Sequence, residues 1–326
     1  MNSFGTLYRI SIFGESHGPA VGIIIDGCPS GISITEEDFV KDIERRKAGK
    51  KGTTPRVEAD QPQILSGIFE GKTTGSPITI IFENKNTRSG DYQNIRNSPR
   101  PGHADFTAFK KYRGFNDYRG GGHFSGRVTT GLVAAGVIAK KVLAGVNFDA
   151  QVIEVGGQAD IDAALNKAIA NHDSVGGIIE CRIQNLDIGI GEPFFDKAEA
   201  VLGHALFAIP AVKGMEIGSG FQAARMTGSE NNDMIIDKEG TTETNHAGGI
   251  NGGITNGNEM VIRVAVKPTS SITKGQQTFN LKENKVQNLN VKGRHDACIA
   301  LRMPVIVEAV SAIALADLHL RHKARI

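Results

Sequence analysis

The sequence predicts an α+β protein, and three observations carry that prediction. Strand-like and helix-like segments follow one another irregularly, without the regular alternation that builds a parallel sheet. No Pro- or Ser-rich linker and no low-complexity tract divides the 326 residues, so a single domain spanning 1–326 is expected. A Gly-rich loop runs into a long apolar helix twice, at residues 120–143 and 293–320, which suggests an internal duplication.

Each element has a local reason. Residues 8–13 and 21–26 are apolar, β-branched runs on either side of a Gly-rich turn and read as two strands. Thr35 then looks like the cap of a helix with acids in its first turn (Glu36, Glu37, Asp38). Its apolar face is Phe39, Val40 and Ile43, and Arg45, Arg46 and Lys47 sit at its negative end. A polar loop at 49–54 follows, then strands at 64–69 and 77–83 around a turn at 70–76. Residues 84–118 read as a long irregular segment, which in a compact domain marks a functional loop or a lid.

From 125 to 143 the pattern turns helical, because Val128, Leu132, Val133, Val137 and Ile138 recur at three-to-four spacing. Further helices are expected at 160–171 and 196–207, with strands at 177–183, 211–217 and 260–266. A closing helix starts near Arg302 or Met303.

Composition removes several classes of function. Hydrophobic residues at 40% and charged residues at 22% are those of a soluble globular protein. A net charge of +2, no Trp and four Tyr provide neither the field nor the stacking platforms of a nucleic-acid binder. Cys28, Cys181 and Cys298 lack paired metal-ligand spacing and point to a reduced, cytoplasmic compartment. Residues 1–13 lack a signal-peptide pattern, and the longest apolar stretches are broken by charges before the ~20 residues of a membrane span.

Candidate chemistry lies in the loops. Gly14-Glu15-Ser16-His17-Gly18 matches the nucleophile elbow of a serine hydrolase, but the elbow needs a helix after Ser16, and residues 19–25 read as a strand. His17 is then the residue of interest, an imidazole in a Gly turn. Arg45, Arg46, Lys47, Lys50 and Lys51 form a basic run, either a solvated face or a funnel for a multiply charged small molecule. An anion- or nucleic-acid-binding protein using residues 45–56 is the alternative reading.

Arg100, His103, Asp105 and His123 combine anion-binding and proton-transferring groups. The His-x-Asp spacing also admits a metal, but no second carboxylate–His pair supports one. Ser125-Gly126-Arg127 at a helix head suits a phosphate or another anion. Lys267-Pro268-Thr269-Ser270-Ser271 ends a strand with an ammonium and three hydroxyls, and Arg294-His295-Asp296 precedes the last helix. Together these describe a cationic, Gly-walled pocket holding several imidazoles and a carboxylate.

These residues, in this order, resemble the chorismate synthase family over essentially the whole chain. The signatures are residues 14–18, 90–92 through 100–105 and 119–127, and Arg294-His295-Asp296-Ala297-Cys298, with 70–78, 213–218 and 267–271 between them. The resemblance implies a β-α-β sandwich with internal duplication, assembled as a homotetramer. It implies a lyase that converts 5-enolpyruvylshikimate 3-phosphate to chorismate by 1,4-elimination of phosphate and a ring proton. Reduced FMN is the implied cofactor, with NADPH needed only indirectly, for flavin reduction, and possibly through a separate flavin reductase. No metal, nucleic acid or membrane is implied.

By the same resemblance, His17 protonates the departing phosphate, His103 controls protonation of the reduced flavin and Asp296 assists deprotonation. Arg45, Arg46, Lys47, Lys51, Arg100 and Arg127 are the implied substrate contacts. The implied flavin contacts are His123, Phe124, Ser125, Gly252, Lys267, Pro268, Thr269, Ser270, Ser271 and Arg294. The chain departs from the family in two places. His123-Phe124 stands where an Arg and a small residue are usual, and an imidazole cannot repeat a guanidinium's bidentate contact. Arg45-Arg46-Lys47-Ala48-Gly49 replaces three arginines followed by Pro-Gly.

Overall fold

Val21, Ile23 and Ile25 are fully buried while Ile24 between them is exposed, the period of two that gives a sheet one core-facing side. The computed structural model describes residues 2–55, 58–87, 89–291 and 295–325. In it, β1 (Ser3–Phe4), β2 (Arg9–Gly14) and β3 (Ala20–Asp26) precede helix α1 (Glu37–Arg46). After β4 (Gln63–Ser66), the small hairpin of β5 (Ile68–Phe69) and β6 (Lys72–Thr73) leads to β7 (Ile78–Glu83). The resulting five-stranded antiparallel sheet has the order β1-β2-β3-β7-β4. Its register sets Ile23 opposite Ile80 and Ile25 opposite Ile78, so one face is a continuous apolar surface.

The segment expected to be irregular contains a 3-10 stretch (Ser89–Arg96) and the short helix α2 (Asp105–Lys111). Helix α3 (Thr129–Val142) follows, then β8 (Asn147–Val155), α4 (Ile161–Ala170), β9 (Gly177–Gln184), α5 (Ala198–Leu206) and β10 (Val212–Ile217). A loop region with the one-turn helix α6 (Gly228–Asn231) and the hairpin β11 (Ile250–Asn251) and β12 (Ile254–Thr255) leads to β13 (Met260–Val266). The chain ends with the hairpin β14 (Gln276–Asn280) and β15 (Lys285–Leu289) and the long helix α7 (Pro304–Lys323). A second, four-stranded antiparallel sheet has the order β10-β13-β9-β8.

Helix α3 packs on the first sheet, α7 packs on the second, and the two helices pack on each other. The layers are therefore sheet, helices, sheet. Every residue from Val305 to His319 is buried, as expected of a mostly apolar helix that lies between two layers. The helices approach closely because Gly136 has no side chain: a Cβ there would lie 2.3 Å from that of Ala309. The expected repeat is visible at the helix heads, since a 3-10 turn leads into each one, Gly126–Val128 before α3 and Ile299–Arg302 before α7.

Two expectations change. Thr35 does not cap α1 with its side chain; Asp38 instead reaches back and accepts the Thr35 N–H at 2.8 Å. Strand β8 and the β14–β15 hairpin were not anticipated. A bulge between Val152 and Glu154 breaks the two-residue period of β8. Among the described residues, no helix is long and apolar enough to cross a membrane.

Candidate active site

The heads of α3 and α7 open into one cavity of about 730 Å³, lined by Val128 and Thr129 from one and Met303 and Ile306 from the other. The positive ends of two helix dipoles favour an anion there. The remaining wall comes from loops: the turn after β2, the end of α1, the Gly-rich stretch before α3 and the segment after β13.

Two buried arginines form the floor. Arg46 is 2% exposed, and its Nε donates to Thr129 Oγ1 at 3.2 Å and its Nη2 to the Gly126 carbonyl at 3.1 Å. Arg127 donates from Nε to Asn84 Oδ1 at 2.9 Å and from Nη2 to the Glu83 carbonyl at 3.2 Å. Asp60 lies between them, 3.3 Å from Arg46 Nη1 and hydrogen-bonded to Arg127 Nη1. Burial, with Arg302 close by, pulls the Arg46 guanidinium down to about 9, still charged at neutral pH. Burial alone would raise the Asp60 carboxyl, but Arg46 and Arg127 outweigh it and hold the group below the ordinary carboxylate value.

His103 is built into a second cluster. Its Nδ1 is 2.6 Å from Asp105 Oδ1, and Arg100 grips the same carboxylate through Nε and Nη2, both at 2.8 Å. Arg100 Nη1 donates to Ser271 Oγ at 2.9 Å, so this guanidinium is committed to protein groups that fix His103. Burial lowers the His103 pKa; Asp105 opposes that effect, while Arg100 and Lys267 add to it. The ring is thus neutral at pH 7, with Nδ1 facing Asp105 and Arg100 Nη2 lying 3.1 Å from Nδ1 and 3.3 Å from Nε2.

Asp296 accepts the Thr54 N–H at 2.8 Å and Arg302 Nη1 at 3.2 Å, and it faces the cavity with Thr54, Arg302 and His295. Lys267 Nζ donates to the Gly102 carbonyl at 2.7 Å and to Ser270 Oγ at 2.8 Å, tying the strand end to the His103 loop. Thr269 Oγ1, on the same wall, is buried and has no hydrogen-bond partner among the described residues.

His17 sits one layer back. Its ring packs edge-on against Tyr92 with centroids 5.1 Å apart, and the cavity-lining Gly120 presses on it: a Cβ at Gly120 would lie 2.6 Å from Nε2. Gly120 has φ 59°, a left-handed conformation that itself favours glycine. His123 faces the cavity, but its Nδ1 meets the Gly14 carbonyl at 2.8 Å and its Nε2 meets Asn2 Oδ1 at 3.2 Å. It acts as a strut between the Gly-rich loop and the first sheet. Phe124 is partly exposed at the cavity wall near the Tyr112 ring, and the Ser125 side chain caps the turn before α3 by accepting the Arg127 N–H.

Of the expected contacts, Arg46, Lys47, Arg100, His103, Arg127, Asp296, residues 123–125 and residues 267–271 line this cavity. Three do not. Arg45 points away and pairs with Glu308 through two hydrogen bonds of 2.8 and 2.6 Å. Lys51 pairs with the exposed Asp162 at 3.3 Å. Gly252 lies in the turn between β11 and β12, with open space where its side chain would be. Arg294 lies outside the described residues. Asp60, Asn84, Arg302 and Lys213, none of them singled out from the sequence as site residues, line or brace the site.

Competing readings lose their footing. The residue run 14–18 is a turn between two strands, so no helix follows Ser16 and the hydrolase elbow is not formed. The basic run is largely paired within the chain, with Arg45 on Glu308 and Arg46 on Asp60. Among the described residues, no group of three or more His, Cys, Asp or Glu side chains is placed to hold a metal ion.

The geometry agrees with comparisons to known proteins. The chorismate synthase family matches residues 8–320 of the chain. A chorismate synthase of Chitinophaga pinensis is 63% identical, covering 97% of this chain and 96% of that protein. One from Methanocaldococcus jannaschii is 43% identical, covering 98% and 97%. A solved structure described as a crystal structure of chorismate synthase superposes with a TM-score of 0.75 at 26% identity, covering 98% of this chain and 93% of that one.

Proposed function

The chain belongs to the chorismate synthase family, lyases that form chorismate in the shikimate pathway, and we propose that it expels phosphate and a ring proton from 5-enolpyruvylshikimate 3-phosphate beside reduced FMN. One observation carries the reading. A single cavity holds a floor of buried arginines and two helix heads for a phosphate, together with the neutral His103 and the carboxylate of Asp296 for protons.

The residues present fit an anionic flavin. Lys267, Lys213 and Ser270 gather at one wall, and the unpartnered Thr269 hydroxyl there would complete its hydrogen bonding on a ligand oxygen. When bound, reduced FMN supplies transient electron density to the allylic system and a nitrogen that takes the ring proton. Lys267, residues 268–271, Ser125 and Phe124, which line the cavity, would hold it.

Arg46, Lys47 and Arg127 offset the substrate's phosphate and carboxylates, each charge-assisted hydrogen bond contributing about 1.5–3 kcal/mol. His17 donates a proton to the phosphate oxygen as the C–O bond breaks. His103, held between Asp105 and Arg100, governs protonation at the flavin. Asp296, held by Thr54 and Arg302, assists removal of the proton. Arg100 acts indirectly, by fixing His103 and Asp105. The proposal extends to a homotetrameric, cytoplasmic enzyme that receives its reduced flavin from a separate NADPH-dependent reductase.

The test is an anaerobic assay with substrate and either reduced or oxidised FMN. Equal amounts of phosphate and chorismate are expected with reduced FMN, and none with oxidised FMN. Absence of phosphate release from folded, flavin-loaded protein would overturn the reading.

A further inference from the structure

We propose that Asp60 is the positioning residue for the two arginines that receive the substrate's anionic groups; this rests on the function proposed above. Asp60 is 6% exposed, lines the cavity and touches a guanidinium with each oxygen, Arg46 through Oδ2 and Arg127 through Oδ1. Those arginines come from different elements, the last turn of α1 and the head of α3. Among the described residues, no other carboxylate pairs with both.

The electrostatics require such a group. Arg46, Arg127 and Arg302 bring three positive charges to one buried region, and each of the other two depresses the Arg46 pKa. Asp60 and Asp296 set two carboxylates against these three guanidiniums, and Lys47 and Glu58 add one charge of each sign at the same cavity. The floor therefore stays positive for a phosphate without leaving two neighbouring guanidiniums unscreened.

The backbone supports a specific placement. Asp60 has φ 51°, a left-handed conformation uncommon outside glycine, which its surroundings hold in place. Asp60 lies outside helices and strands, so its pairing with the arginines is what orients its carboxylate. Asn84 extends the same brace. It accepts Arg127 Nε and donates to the Glu15 and Gly18 carbonyls, linking the arginine floor to the turn that carries His17.

The experiment compares Asp60→Asn with the wild type under the anaerobic assay, measuring substrate KM, kcat and reduced-FMN affinity separately. The expected result is a KM raised about tenfold or more, with kcat and FMN affinity within about threefold of wild type. In an Arg46→Gln background the same change should add less, because one of its two guanidinium partners is already gone. If the Asn variant does not fold, Asp60→Glu keeps the charge and displaces it; a raised KM with kcat retained supports the proposal. An unchanged KM in a folded Asn or Glu variant, or a full additive effect in the Arg46→Gln background, overturns it. An inactive wild type would instead count against the proposed function, so the two failures are distinguishable.

Discussion

The His103 imidazole meets the Asp105 carboxylate at 2.6 Å, Nδ1 to Oδ1, inside a cavity that also holds the arginine floor. This contact and Arg100 Nη2, 3.3 Å from Nε2, hold the ring in place. Its pH consequence follows from the directions of shift. His103 is depressed below the ordinary 6.5, so the neutral ring persists until the pH falls below that value. The acidic limb of kcat/KM is expected below 6.5 in the wild type. It should lie lower still in Asp105→Asn, because Asp105 is the group that raises the His103 pKa. A limb that moves upward in the variant would show that another group titrates.

Asp105 is itself held well below the ordinary carboxylate value, burial being outweighed by Arg100 and His103. A depressed carboxylate contributes stability above its unfolded pKa and loses it as the pH falls toward the folded one. Asp105→Asn should therefore lower Tm at neutral pH and lose much of that difference in strong acid. Thermal unfolding across pH 2–7 (roughly the interval between the two regimes) reads this directly, and a constant difference would refute it.

Gly120 and His17 predict linked phenotypes. His17→Ala is expected to lower turnover by roughly 10²–10⁴, the usual range for lost proton-transfer catalysis. Gly120→Ala should displace the same ring, since its Cβ would lie 2.4 Å from His17 Cδ2 and 2.9 Å from Ser16 Oγ. Wild-type turnover in a folded Gly120→Ala enzyme would contradict the proposed position of the proton donor.

Much of this structure is legible in the chain, and the exceptions have physical causes. The helices α3 and α7 are apolar enough to declare themselves, and the Gly-rich loops before them point to the site. Arg45 and Arg46 look equivalent in sequence. On a helix, adjacent residues point about 100° apart, so one reaches Glu308 and the other the cavity. Asp60 and Arg302 carry no local signal, because their roles depend on partners brought close only by the fold. The β14–β15 hairpin escaped notice because it is mostly polar and buries only a small cluster around Ile95, Leu289 and Val291.

The Arg45 correction is separately testable. Arg45 and Lys140 converge on Glu308, which is 1% exposed and also accepts the Ala150 N–H at 2.9 Å. Arg45→Met should cost about 1.5–3 kcal/mol of stability, the loss of hydrogen bonds to a buried charge. Substrate KM should not change. Denaturant unfolding and steady-state kinetics check both halves, and a raised KM without a stability loss would return Arg45 to the substrate site.

The most direct test of the central claim is an anaerobic single turnover in which phosphate release and flavin absorbance are recorded together. The account predicts one phosphate per active site and a flavin that ends in the reduced state in which it began. Phosphate released without reduced flavin, or flavin left oxidised in proportion to product, would contradict it.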